Sequence, residues 1–138
     1  MKDMSLERFV KAQEQSYEIA LQEIRNGRKR SHWMWYIFPQ IKGLGHSPTA
    51  EYYAIQDRNE AEEYMKHSVL SQRLIEISEV LLEIDCSNAS EIFGYPDDMK
   101  LKSSMTLFSL ISDNIIFKRV LEKFFNSKLD ERTVELLG

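Results

Sequence analysis

The residues whose types and spacing could do chemistry are concentrated between Arg28 and Ser47, in the run Arg-Lys-Arg-Ser-His-Trp-Met-Trp-Tyr-Ile-Phe-Pro-Gln-Ile-Lys-Gly-Leu-Gly-His-Ser. This stretch holds both tryptophans of the chain, two of its three histidines, two of its five glycines and its only three consecutive basic residues. Groups that fill a core, such as Trp33, Trp35, Tyr36 and Phe38, are interleaved with groups that bind, namely Lys29, Arg30, Ser31, His32, Gln40 and Ser47. Aromatic faces beside cations suit a ligand whose ring stacks while its phosphate or carboxylate meets Lys or Arg. A second polar group, Gly94-Tyr-Pro-Asp-Asp98 followed by Lys100, reads as a helix start. Its carboxylates either complement the helix dipole or serve as acid and base.

From these residues the sequence leads to a pocket for a small anionic, nucleotide-like ligand, for instance a nucleotide, ADP-ribose or a nucleotide sugar. Trp33 and Trp35 form its wall. Lys29, Arg30, Ser31, Gln40, Gly45, Ser47 and Lys100 supply the binding groups, and His32 and Asp98 are the acid and base if hydrolysis or transfer takes place. Whether any reaction occurs is left open by these residue types. A reading of another class is a non-catalytic interaction module whose exposed Trp/Tyr surface meets a protein or peptide. A third makes both tryptophans plain core, because side chains that large dominate cores.

Other chemistries recede. Ser31 and His32 are adjacent, but neighbours on one helix point apart and are not thereby a nucleophile and base. The sequence has no Gly-x-Ser-x-Gly elbow, no Gly-x-x-x-x-Gly-Lys-Ser/Thr loop and no Gly-x-Gly-x-x-Gly turn. His32, His46 and His67 lack the i, i+3 or i, i+4 partners of helical metal sites, and Cys86 has no second thiol, so neither metal nor cofactor is expected. Cys86 reads as a small buried hydrophobe.

Composition bounds the rest. A chain of 138 residues with 43% hydrophobic and 29% charged residues fits one globular domain, spanning residues 1–138. No apolar run approaches the roughly 20 residues that span a bilayer, and the N-terminus lacks the features of a secretion signal. The expectation is a cytoplasmic protein without membrane contact. A net charge of −4 argues against extended nucleic acid as a partner. Arg25, Arg28, Lys29 and Arg30 nevertheless lie within six residues. Such a patch suits one compact anion, or complements the C-terminal dipole of a helix. The oligomeric state is not legible.

The elements that must position these residues read as helices throughout. Ser5 caps a first helix whose apolar stripe runs through Phe9, Val10, Tyr17, Ala20, Leu21 and Ile24 and places Gln13 in the interior, and Gly27 ends it in the left-handed conformation. Ser31 opens a short aromatic helix over His32–Phe38, stopped by Pro39. Gln40–Ser47 is a loop whose glycines suit either a ligand or a tight connection, and Ser47-Pro48 caps the next helix, reaching about Gln56. Further helices start near Asp57–Asn59, at Val69, at Ser87 or Asn88, at Pro96, at Ile115 and at Asp130. Arg73 intrudes on the rim of one apolar face, either snorkelling or paired. Lys100, Ser103, Ser104 and Thr106 mark the polar side of the Pro96 helix. With no hairpin signals, the fold class is all-α, a compact bundle of about seven or eight helices.

The segments Gly27–Gln40, Gly43–Ser47, Glu91–Asp98 and Lys102–Phe108, within a match from Phe9-Val-Lys-Ala-Gln13 to Asp130-Glu-Arg-Thr133, resemble the domain of unknown function 1810 family. The resemblance implies a small, mainly helical bacterial protein and assigns no reaction. Two departures stand out. His67-Ser68 replaces the usual His-Pro, and Asn126-Ser-Lys occurs where a glycine is usual before the final Asp.

Overall fold

The computed structural model describes residues 5–138. Residues 1–4, part of the stretch read above for a secretion signal, lie outside the described residues. Nine helices follow among those described, two more than the lower expectation because several are only one turn long. They are α1 (Glu7–Arg25), α2 (Met34–Ile37), α3 (Pro48–Tyr52), α4 (Arg58–Lys66), α5 (Ser68–Glu83), α6 (Ala89–Phe93), α7 (Asp97–Ile111), α8 (Ile116–Phe125) and α9 (Glu131–Leu137). The extended backbone contributes one isolated parallel bridge between Ile41 and Ile55.

The caps follow the sequence signals closely. Ser47, Asp57, Asn88 and Asp130 each accept a backbone N–H of the first turn they precede. Gly27 sits at φ +78° beyond α1, where a side chain would be strained. The α1 start differs, since the helix begins at Glu7 and Ser5 Oγ accepts from the Glu7 N–H at its edge. The aromatic helix also differs. Only Met34–Ile37 is helical, and Ser31 lies outside it because its hydroxyl is drawn to Glu23.

One contiguous core joins every helix but α3, and its largest fully buried members are Trp33, Tyr64, Phe9, Phe38, Phe108 and Phe117. The central α7 packs against α4, α6, α8 and α9. Of its expected polar side only Lys100 is partly exposed. Ser103, Ser104, Thr106 and Ser109 are all buried, and three of these hydroxyls donate back to carbonyls of their own helix, which makes small hydroxyl residues compatible with an interior position. Ser104 Oγ has no partner among the described residues. Cys86, expected inside, is only partly buried and its thiol lies against Asn88 O and Glu91 Oε2.

Polar contacts tie the apolar layers together. Gln13, 1% exposed, donates to the Tyr36 carbonyl at 2.8 Å and to the Tyr64 hydroxyl at 3.1 Å, which satisfies its buried amide N–H groups. Arg8 is 2% exposed. Its guanidinium meets Glu60 at 3.0 Å and donates to the carbonyls of Tyr52 and Ala54, fixing the α3–α4 connection on α1. Lys123 donates to the carbonyls of Leu81, Leu82 and Ile84, closing the C-terminal end of α5. No helix among the described residues is long and apolar enough to cross a membrane.

Candidate functional site

The path from α1 to α2 is fixed by one carboxylate. Glu23 Oε1 accepts the Arg30 N–H at 2.8 Å, the Ser31 N–H at 3.0 Å and the Trp33 indole N–H at 2.8 Å, while Oε2 accepts the Ser31 hydroxyl. Burial by itself raises this carboxyl. The donors from Ser31, Arg30 and Trp33 outweigh burial and hold it at about 2, below its ordinary 4.5. The consequence is positional. Trp33 is anchored at 1% exposure with its rings near Phe38 and Phe93, and the next turn then presents Trp35 and Tyr36 at the surface, each half-buried.

Around these two tryptophans the predicted cations gather on Asp97, the first of the two acids that open α7. Lys29 Nζ lies 2.9 Å from Asp97 Oδ2 and 5.1 Å from the Trp33 ring centroid. Lys100 Nζ lies 3.4 Å from Asp97 Oδ1 and 5.3 Å from the Trp35 ring centroid. Asp97 therefore bridges two cations, each resting near an indole. Asp98 is engaged elsewhere. It accepts the Ser90 hydroxyl at 2.7 Å and the Met99 N–H at 2.8 Å, and is only 8% exposed.

Trp35 also walls the main opening of this face, a groove of about 460 Å³ lined by Trp35, Tyr36, Pro48, Thr49, Tyr52 and Tyr53. Its aromatic wall is continuous, with Tyr36 and Tyr53 centroids 5.2 Å apart and Tyr52 and Tyr53 centroids 4.8 Å apart. Burial, with Tyr52 and Tyr36 beside it, raises the Tyr53 hydroxyl, which stays protonated and able to donate. Behind the groove, Trp35 and Tyr53 share a narrow crevice with Gln40, Ile41, Gly45, Ala50 and Ala54. Gly45 is required by space there, since a Cβ would lie 2.7 Å from that of Ala50.

The structure thus brings together Lys29, Trp33, Trp35 and Lys100 through Asp97, and Trp35, Gln40 and Gly45 through the crevice. Of the predicted residues only Trp35 lines the groove itself, and five belong to neither grouping. Arg30 and His32 are exposed, with Arg30 contributing its backbone N–H to Glu23. Ser31 is committed to Glu23 and Ser47 to the Ala50 N–H. Asp98, in the first turn of α7, is tied to α6 through Ser90. The three histidines do not cluster, His67 being the cap of α5, and no group of three or more His, Cys, Asp or Glu able to hold a metal ion occurs among the described residues.

Sequence reasoning missed Glu23, Asp97 as the bridging acid, and the pair Tyr52-Tyr53. The tyrosines carried a usable signal, being two adjacent aromatics on a helix too short to bury both. Glu23 carried none, because an acid in the last turn of a helix, two residues before the end of α1, looks like any solvated position.

A family described as "Protein of unknown function (DUF1810)" matches residues 3–137. The chain belongs to this family. Among solved structures, this DUF1810 chain is similar to the conserved hypothetical protein Rv1873 from Mycobacterium tuberculosis, at 46% sequence identity and a TM-score of 0.94 over 97% of this chain and 96% of that one. Comparison with curated proteins finds no match. Asn126 and Ser127 stand at φ 53° and 63°, so the turn before Asp130 follows a left-handed path without the residue best suited to it.

Proposed function

We propose that the groove beside Trp35 binds a small, flat, anionic ligand of the nucleotide class, and that the protein works as a binding protein for it. The single observation that carries this reading is the groove itself. An opening of about 460 Å³ falls within the roughly 300–1,000 Å³ of small-molecule sites, and four aromatic side chains line it. A heterocycle stacks on Trp35 or Tyr52, the tyrosine hydroxyls read its polar edge, and Lys100 near the Trp35 ring is the cation for a phosphate. Binding is favoured over turnover because no acid and base face one another across the groove. His32 is not among the residues that line the groove, and Asp98 is occupied by Ser90.

The test is a thermal-shift and calorimetric series with AMP, ADP and ADP-ribose on the wild type and on Trp35→Ala. A ligand present at about 100 times its Kd adds about 2.7 kcal/mol to stability. The expected outcome is a higher Tm with at least one of the three and loss of that rise in Trp35→Ala, whose half-buried ring is not a central core member. No rise with any of them, or an equal rise in the variant, refutes the reading. Binding of an aromatic- or proline-rich peptide in their place would assign the groove to protein recognition.

A further inference from the structure

A second cleft, between α1 and α5, is lined by Gln13, Glu14, Tyr17, Glu18, Gln72, Arg73 and Glu76 and encloses about 420 Å³. Its chemistry is unlike that of the aromatic groove. Arg73 has no carboxylate within ion-pair distance among the described residues, although three glutamates share its cleft. The guanidinium is held instead by the Tyr17 ring, 5.5 Å away, and by one long contact of 3.4 Å to Gln13 Oε1. The Tyr17 hydroxyl is shared between the Arg73 carbonyl and Glu76 Oε1, which fixes the ring under the guanidinium. Most of the five N–H donors of Arg73 therefore remain available to the cleft.

The floor adds an independent observation. Gln13 is 1% exposed and its amide N–H groups are fully engaged below the cleft, yet its Oε1 receives only that one long contact. A buried amide oxygen with spare accepting capacity beside a guanidinium with spare donors is costly without a partner. The rim carries Glu14 and Glu18, both exposed and one turn apart on α1, and Glu76 on α5. The cleft thus offers one cation and three carboxylates. Simple anions are disfavoured by this balance, and simple cations leave Arg73 without an acceptor.

We propose that this cleft is a binding site for a basic α-amino acid. The ligand's carboxylate takes the bidentate donors of Arg73, its α-ammonium donates to Gln13 Oε1, and its side-chain cation lies among Glu14, Glu18 and Glu76. The ligand's one carboxylate meets the one cation of the cleft, and its side-chain cation meets the three carboxylates, while the α-ammonium takes the spare acceptor of Gln13. The site shares no lining residue with the aromatic groove, so either proposal stands or falls alone.

The experiment is calorimetry and amide-resonance mapping with L-arginine, agmatine, which lacks the carboxylate, and L-norvaline, which lacks the side-chain cation. L-Arginine is expected to perturb the α1 and α5 resonances that line the cleft, with agmatine and L-norvaline each weaker by about tenfold or more, the loss of one charge-assisted contact. Arg73→Met should abolish the advantage of L-arginine over agmatine. Glu14→Gln combined with Glu18→Gln, at two exposed positions that cannot unfold the chain, should abolish its advantage over L-norvaline. Agmatine or L-norvaline binding as tightly as L-arginine to the wild type, or no perturbation by L-arginine of the folded wild type, overturns the proposal.

Discussion

Glu23→Gln is the substitution that most directly tests how this protein presents its tryptophans. The native carboxylate accepts four hydrogen bonds, from two backbone N–H groups, a serine hydroxyl and the indole of a tryptophan that is 1% exposed. A glutamine can keep the three N–H contacts on its oxygen, but it places an NH2 group where Oε2 accepted the Ser31 hydroxyl, and it removes the charge that strengthens the other three. Hydrogen bonds to a charged group contribute about 1.5–3 kcal/mol against about 0.5–1.5 kcal/mol for neutral ones. The fall of the Glu23 pKa from 4.5 to about 2 corresponds to at most about 3.4 kcal/mol at 1.36 kcal/mol per unit, and solvent access to the carboxylate reduces that figure substantially. The expected loss at pH 7 is about 2 kcal/mol, or roughly 6 °C in Tm for a chain of this size.

The pH dependence gives a second readout of the same contact. Because the folded pKa lies below the unfolded one, the Glu23 contribution is present in full above about pH 4.5 and is lost as pH falls towards 2. Urea denaturation followed by tryptophan fluorescence between pH 2.5 and 7 should show the wild type losing its advantage over Glu23→Gln across that window. A variant within about 0.5 kcal/mol of the wild type at pH 7, the ordinary range of a surface change, would refute the anchoring role.

Two further outcomes follow from backbone and packing. Ser127→Gly should stabilise the protein by about 1 kcal/mol, because Ser127 holds φ 63° where glycine has no steric cost, and chemical denaturation will show it as a higher midpoint at unchanged m-value. Gly45→Ala should destabilise by about 1–3 kcal/mol, since its Cβ would come within 2.7 Å of Ala50 Cβ and push α3 from the crevice; the same variant should weaken any ligand of the neighbouring groove more than Ser127→Gly does.

The helices were legible because their information is local. The apolar stripe of α1, the caps Ser47, Asp57, Asn88 and Asp130, and the left-handed Gly27 depend on residues a few positions apart, and each appears where spacing and side-chain chemistry place it. The interior position of Gln13 was legible for the same reason. The polar side of α7 was misread because a hydroxyl side chain can satisfy itself on its own helix, so Ser and Thr in a buried helix look in sequence like Ser and Thr on a wet one.

The site divides along the same line. The sequence grouped Lys29, Lys100, Gln40 and Gly45 with Trp33 and Trp35, and each lies near one of those rings. Tertiary structure alone decided that Asp97 and not its neighbour Asp98 bridges the two lysines, that Glu23 pins Trp33 inward while Trp35 faces out, and that Tyr52 and Tyr53 complete the groove. Adjacent residues on a helix differ by about 100° in direction, and which one meets a partner depends on how α7 is rotated against the Lys29 loop. That rotation is set by the packing of α7 on α4, α6, α8 and α9, contacts spread over the whole chain, which no local pattern of residues records.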